Sequence, residues 1–166
     1  MTVIHESVPG WSEPTASKRL DLLKRTNTIA MVGVSANPSR PSNFVATYLL
    51  SSSTDFDVYF VNPMADEILG KPCYPTLCDL PIVPDMVDVF RRSDDLPEVA
   101  EESVAVGAAS FWAQLGLWNV DAANIAISNG LDVVMDRCLK IEHARFHGGL
   151  HLAGFDTGVI DSRLTP

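Results

Sequence analysis

Residues 33–43 of this 166-residue chain, Gly33-Val-Ser-Ala-Asn-Pro-Ser-Arg-Pro-Ser-Asn43, gather a glycine, five small polar side chains and one cation in a single short segment. The chemistry this suits is anion binding. Gly33 lets a phosphate-bearing ligand approach the backbone, Val34 closes the preceding apolar run, and Ser35, Asn37, Ser39, Ser42 and Asn43 offer neutral hydrogen-bonding groups. Arg40 brings the positive charge, and Pro41 suits the first position of a helix, where its φ is already near helical. The same residues also read as a polar loop that does no more than cap a helix. A P-loop is excluded because no Gly-Lys-Ser/Thr follows, and the Gly-x-Gly-x-x-Gly dinucleotide fingerprint is absent.

Other candidate groups lie further along. Lys71, Arg91 and Arg92 follow apolar runs and, with Arg40, are the cations that can meet an anion. His143 and His147, spaced i, i+4, share a helix face, but no Cys-x-x-Cys or His-Glu-x-x-His pattern completes a metal set, so a surface helix accounts for them. Cys73 and Cys78 read as ordinary thiols, and Asp136-Arg137-Cys138 as a salt-bridged helix start. Without a Gly-x-Ser-x-Gly elbow or paired carboxylates beside a local base, no catalytic residue and no metal site is expected.

The elements that must position these groups are five short apolar runs. They lie at 28–34, 57–61, 86–90, 109–114 and 131–135, alternating with helical segments at 41–51, 95–106, 119–129 and 137–147. Asp95 with Glu98 has the capping-box spacing, and Asn119 is a candidate N-cap. The pattern predicts a single doubly wound α/β domain, Rossmann-like, with a five-stranded, mainly parallel sheet covered by helices on both faces. The expected strand order is 3-2-1-4-5. Five prolines in 62–85 replace the second crossover helix by turns or a small extra strand. A helix at 15–25 is expected outside the main fold. The second run ends in Val61-Asn62-Pro63, without the carboxylate that holds the ribose of NAD.

Twelve Lys and Arg against 21 Asp and Glu leave a net charge of −9, which disfavours nucleic acid or an anionic bilayer as partner. Three cysteines cannot make an even disulfide framework, and the N-terminus has no signal-peptide pattern, so a reduced, cytoplasmic protein is expected.

Taken in order, Val32-Gly-Val-Ser35, Pro38-Ser-Arg-Pro-Ser42, Val61-Asn-Pro63, Glu67-Ile-Leu-Gly70, Cys73-Tyr-Pro75, Val87-Asp-Val-Phe-Arg-Arg92, Trp112-Ala-Gln-Leu-Gly116 and Gly130-Leu-Asp-Val-Val-Met-Asp-Arg-Cys138 form a specific set. This set resembles the small CoA-binding proteins whose Rossmann-like domain is similar to the N-terminal domain of the succinyl-CoA synthetase α subunit. The resemblance covers about 28–147, leaving 1–27 as an arm and helix and 148–166 as a Gly-rich tail. It implies coenzyme A or an acyl-CoA as ligand, with the phosphates on the Gly33–Ser42 turn and the adenosine half near Asn62 and Pro63. Phe90, Arg91 and Arg92 would flank the pantetheine or pyrophosphate. The synthetase pattern has a lysine just after Asn-Pro, where this chain has Met64-Ala65, which leaves Lys71 or Arg40 to meet the phosphates. The phosphohistidine of those enzymes belongs to another domain, so the implied role is a stand-alone, non-catalytic binder. The other reading is an enzyme acting on a nucleotide-activated substrate, a small transferase or ligase fragment. The apolar tail, with Leu150, Leu152, Phe155, Val159 and Ile160, is expected either to fold back on the domain or to pack across a homodimer.

Overall fold

The computed structural model describes residues 4–147, so the Gly-rich tail and its expected packing lie outside the described residues. Helix α1 (Ala16–Arg25) is capped by the Thr15 hydroxyl, which accepts from the Lys18 N–H. Then β1 (Thr28–Val32), α2 (Pro41–Leu49) and β2 (Asp57–Val61) follow. The proline-rich crossover forms a small hairpin, β3 (Glu67–Ile68) and β4 (Lys71–Tyr74), and a 3-10 turn at Leu77–Asp79. Leu69 (φ 51) and Gly70 (φ 75) both adopt left-handed backbone, as a two-residue hairpin turn requires. The chain closes with β5 (Met86–Val89), α3 (Leu96–Val106), β6 (Ser110–Ala113), α4 (Val120–Ser128), β7 (Asp132–Val134) and α5 (Leu139–His147).

The sheet has seven strands, not five, in the order β3-β4-β2-β1-β5-β6-β7. The five strands read from the sequence are mutually parallel where they pair, β4 runs parallel to β2, and β3 is antiparallel to β4. The expected order is corrected: β5 lies beside β1, and separates β1 from β6. Two contacts account for this. The hairpin occupies the edge beside β2, and Asp85 ties the start of β5 to the start of β1. Its carboxylate accepts from the Asn27 and Thr28 N–H groups while its own N–H donates to Thr28. The point where the winding reverses therefore falls between β1 and β5, and α2 and α3 leave from there to opposite faces.

Strand alternation sorts the core into two layers. Ala30, Val32, Val87, Val89 and Phe111 face α3 and α4, whose Ala100, Ala123 and Ala126 permit close packing. Ile29, Met31, Phe60, Met86 and Trp112 face α1, α2 and α5. Helix α1 is part of this second layer, contrary to its expected place outside the fold. Leu22 and Leu23 are buried there, and Arg19 pairs with the buried Glu142 of α5 at 3.1 Å. Asn119 caps α4 as expected, accepting from the Ala122 N–H at 2.9 Å. The Asp95–Glu98 capping box does not form, because the Asp95 carboxylate turns back to Arg91 and Arg92 and its side chain makes no cap bond. No described helix is long and apolar enough to cross a membrane.

Candidate functional site

At the end of β1 the backbone turns through Gly33 with φ +91. A Cβ here would sit 3.1 Å from Arg91 Cδ and 3.3 Å from the Phe90 carbonyl, so both conformation and space demand glycine. The turn that follows is braced by its own side chains. Ser42 Oγ accepts from the Ser35 N–H at 2.9 Å, Asn43 Nδ2 donates to the Ser35 carbonyl at 2.9 Å, and Asn37 Oδ1 accepts from the Ser39 N–H and hydroxyl. Asn62 adds a cross-link from β2, donating to the Val34 carbonyl at 2.8 Å and accepting from the Met64 N–H. Asn37, Ser42, Asn43 and Asn62 thus hold the turn in shape, and the Val34 side chain is buried in the core. Pro41 opens α2, with Arg40 as its N-cap residue. The Arg40 side chain makes no ion pair with a described residue.

Two clefts meet at Gly33. The first, about 470 Å³, lies on the α2 and α5 side and is lined by Ser35, Arg40, Phe90, Gln114, Cys138 and Ile141, among others. The second, about 540 Å³, opens on the α3 side past Asn62, Pro63 and Arg91 and is bordered by Asp95, Glu98 and Glu102. Burial and the neighbouring Glu98 push the Glu102 carboxyl above its ordinary range. Arg91 reaches Asp95 at 3.5 Å.

The structure does not bring every expected residue together. Lys71 lines neither cleft, because the hairpin register sets it level with Val58 near the start of β2. Its ammonium donates to the Val58 carbonyl and lies 5.6 Å from the Tyr59 ring centroid. Arg92 also lines neither cleft; it is 85% exposed and paired with Asp95. The first cleft is also lined by residues that were not among the expected ligand contacts: Gln114 just after β6, Cys138 just before α5, which reads in sequence as part of a helix start, and Ile141 in the first turn of α5. The signal was present, since Gln114 and Cys138 both follow strand ends, where ligands sit in such sheets.

Beneath the first cleft lies Asp88, fully buried on the β5 face that also carries Met86, between Met31 and Trp112 in register. Gln114 Nε2 donates to Asp88 Oδ1, and Oδ2 has no hydrogen-bond partner. Burial pushes this carboxyl up to about 8, and the Gln114 bond only partly offsets it. Burial, with Asp88 adding to it, also raises the Cys138 thiol. The floor of the first cleft is therefore neutral near pH 7.

The cleft wall at 115–118 is held from the N-terminal arm. His5 stacks on Trp118 at 4.1 Å and meets Asp136 at 2.8 Å, and Asp136 also accepts from the Gly116 N–H at 2.6 Å. Asp136 adopts φ 58, and the hydrogen bonds and charge of His5 and the Gly116 N–H bond keep its carboxyl low in spite of its burial. His143 is held by the Tyr48 hydroxyl at 2.7 Å. Among the described residues no three metal-ligating groups gather.

Residues 27–144 match the CoA binding domain family. The chain belongs to that family. An uncharacterized Bacillus subtilis protein, YneT, is 38% identical over 131 residues, covering 79% of this chain and 96% of YneT. An ADP-forming acetate–CoA ligase of Archaeoglobus fulgidus is 31% identical over 80 residues, which are 48% of this chain but only 12% of the ligase. A solved structure, a hypothetical protein from Pyrococcus horikoshii, superposes with a TM-score of 0.76 at 36% identity, covering 87% of this chain and all of that one. The family resemblance read from the motifs is thereby established, and so is the Rossmann-like α/β fold with a mostly parallel sheet.

Proposed function

We propose that the protein binds coenzyme A or an acyl-CoA across the ends of β1, β2, β5 and β6. In this reading the pyrophosphate lies at Gly33 between Arg40 and Arg91, the adenosine half enters the cleft past Asn62 and Pro63, and the pantetheine arm enters the cleft floored by Gln114 and Cys138. The observation that carries the reading is the meeting of two clefts of nucleotide-ligand size at a glycine that admits no side chain, with a cation on each side. The family match and the ligase relative support the choice of CoA over other nucleotides. The absence of a carboxylate at the end of β2 weighs against NAD. The protein acts in this reading as a cytoplasmic binding module with no chemistry of its own.

Thermal unfolding and calorimetric titration with CoA, NAD, ATP and AMP test the reading. At about 100 times the dissociation constant, CoA should add roughly 2.7 kcal/mol of stability. Stabilisation by NAD without stabilisation by CoA would overturn it.

A further inference from the structure

The first cleft is polar along the 33–42 turn and apolar along the 115–117 loop and the start of α5. Near the turn it is polar and carries Arg40, the one charged residue among those that line it. The other walls are Val45, Phe90, Leu117, Leu115 and Ile141, beside Gln114 and Cys138, with Phe90 packed against Gly33 itself. At the rim two large aliphatic side chains stand in solvent: Leu115 is 67% exposed and Ile141 50% exposed.

This exposure is built into the fold. Leu115 sits on the loop that Asp136 fixes through the Gly116 N–H and that the arm clamps through His5 and Trp118. Ile141 sits in the first turn of α5, whose Leu139 is buried in the core. Neither side chain can fold inward to hide, so an apolar ligand group that bridges them removes a standing hydration cost.

We propose that this outer part of the cleft receives the acyl chain of an uncharged, aliphatic CoA thioester, in preference to free CoA or a thioester ending in a carboxylate. The proposal rests on the CoA-binding reading and names the ligand class for the same site. A terminal carboxylate would find no cation lining the outer cleft, where Arg40 at the turn is the one charged residue of the lining. Lys140, one residue before Ile141, is directed to the Phe44 and Tyr48 rings, with its ammonium 4.7 Å and 5.8 Å from their centroids.

The test is calorimetric titration of the full chain with CoA, acetyl-CoA, octanoyl-CoA and succinyl-CoA. A Leu115→Ser/Ile141→Ser double variant is titrated alongside, its fold checked by circular dichroism. Each methylene covered adds about fourfold in affinity, so octanoyl-CoA should bind at least about tenfold tighter than CoA, and acetyl-CoA should fall between. Succinyl-CoA should bind no tighter than CoA. In the double variant the octanoyl-to-CoA affinity ratio should fall toward one, a readout that a general loss of binding would not produce. Equal affinity for CoA and octanoyl-CoA, or succinyl-CoA matching octanoyl-CoA, would overturn the proposal while leaving CoA binding intact. Failure of all four ligands to bind would overturn the CoA reading itself, and the proposal with it. A dimer in sedimentation that the double variant dissolves would assign the rim to a second copy and likewise overturn it.

Discussion

The two clefts that share Gly33 solve opposite problems. The α3-side cleft has Arg91 and the acidic side chains Asp95, Glu98 and Glu102 on its border, whereas the α5-side cleft has Arg40 as its one charged lining residue and the exposed Leu115 and Ile141 at its rim. A net charge of −9 makes any anion site a local exception in this protein. The exception is confined to the junction: Arg40 and Arg91 flank the glycine, and charge of the same sign does not continue into either cleft. In the proposed CoA reading, the clefts differ in what they select, while the shared turn supplies the phosphate anchor.

Asp88 offers the largest handle on that difference, because it keeps the α5-side floor neutral by holding a proton. Its folded-state value is raised to about 8 against an ordinary value near 4. Below about pH 4 the carboxyl is protonated in both folded and unfolded chains. Between about 4 and 8 only the folded chain keeps the proton, so stability falls by roughly 1.4 kcal/mol per pH unit and levels off above about 8. Cys138, raised from its ordinary range, stays a thiol through that window. Glu142 is engaged by Arg19 and Arg137, and His143 by Tyr48. Asp88→Asn keeps the neutral shape, so its urea-unfolding free energy should lose most of this slope and exceed wild type by several kcal/mol at pH 8. An unchanged slope would mean that Asp88 ionises freely and that the two floors do not differ in charge.

Gly33 tests the junction. Gly33→Val places a branched side chain at φ +91 against the Phe90 carbonyl and should cost about 1–3 kcal/mol of stability. It should also remove CoA binding altogether, because the added atoms occupy the point where the clefts meet. Binding that survives in the folded variant would show that the clefts work independently.

The sequence exposed the junction and hid the clefts, for a physical reason. Gly33, Arg40 and Pro41 act through local backbone rules, so their roles can be read from adjacent residues. Strands likewise appear as local apolar runs. Strand order depends on contacts between distant residues: the Asp85–Thr28 tie that seats β5 beside β1 joins positions 57 apart. Helix α1 looked peripheral because its burial depends on a partner 123 residues away, Glu142 against Arg19. The α5-side floor combines β5, β6 and the start of α5, and Asp88 looked like an ordinary polar interruption in Met86-Val-Asp-Val-Phe90.

Arg40→Ala removes one charge-assisted contact from the junction and should weaken CoA binding by about 1–3 kcal/mol in calorimetry, less at high salt. Arg145→Ala, which lines neither cleft, should leave affinity nearly unchanged. Equal losses at both positions would mean that bulk charge, not the shaped turn, holds the ligand.

The smallest effect is expected at Lys71, the residue whose expected and observed places differ most. A lysine just downstream of Asn62-Pro63 is well placed in sequence to meet a 3′-phosphate on the adenosine half. The hairpin register moves it away: Cys73 and Tyr74 align with Phe60 and Val61, which carries Lys71 back toward Val58 and away from the strand end. There its ammonium is already spent on the Val58 carbonyl and the Tyr59 ring face. Lys71→Ala should therefore change CoA affinity by less than about 0.5 kcal/mol. The preference for CoA over 3′-dephospho-CoA, which Arg91 is better placed to create, should be the same in variant and wild type at low and high ionic strength. If Lys71→Ala instead abolishes that preference, the lysine leaves β2 when ligand binds, and the α3-side cleft carries a second cation that the free protein keeps turned away.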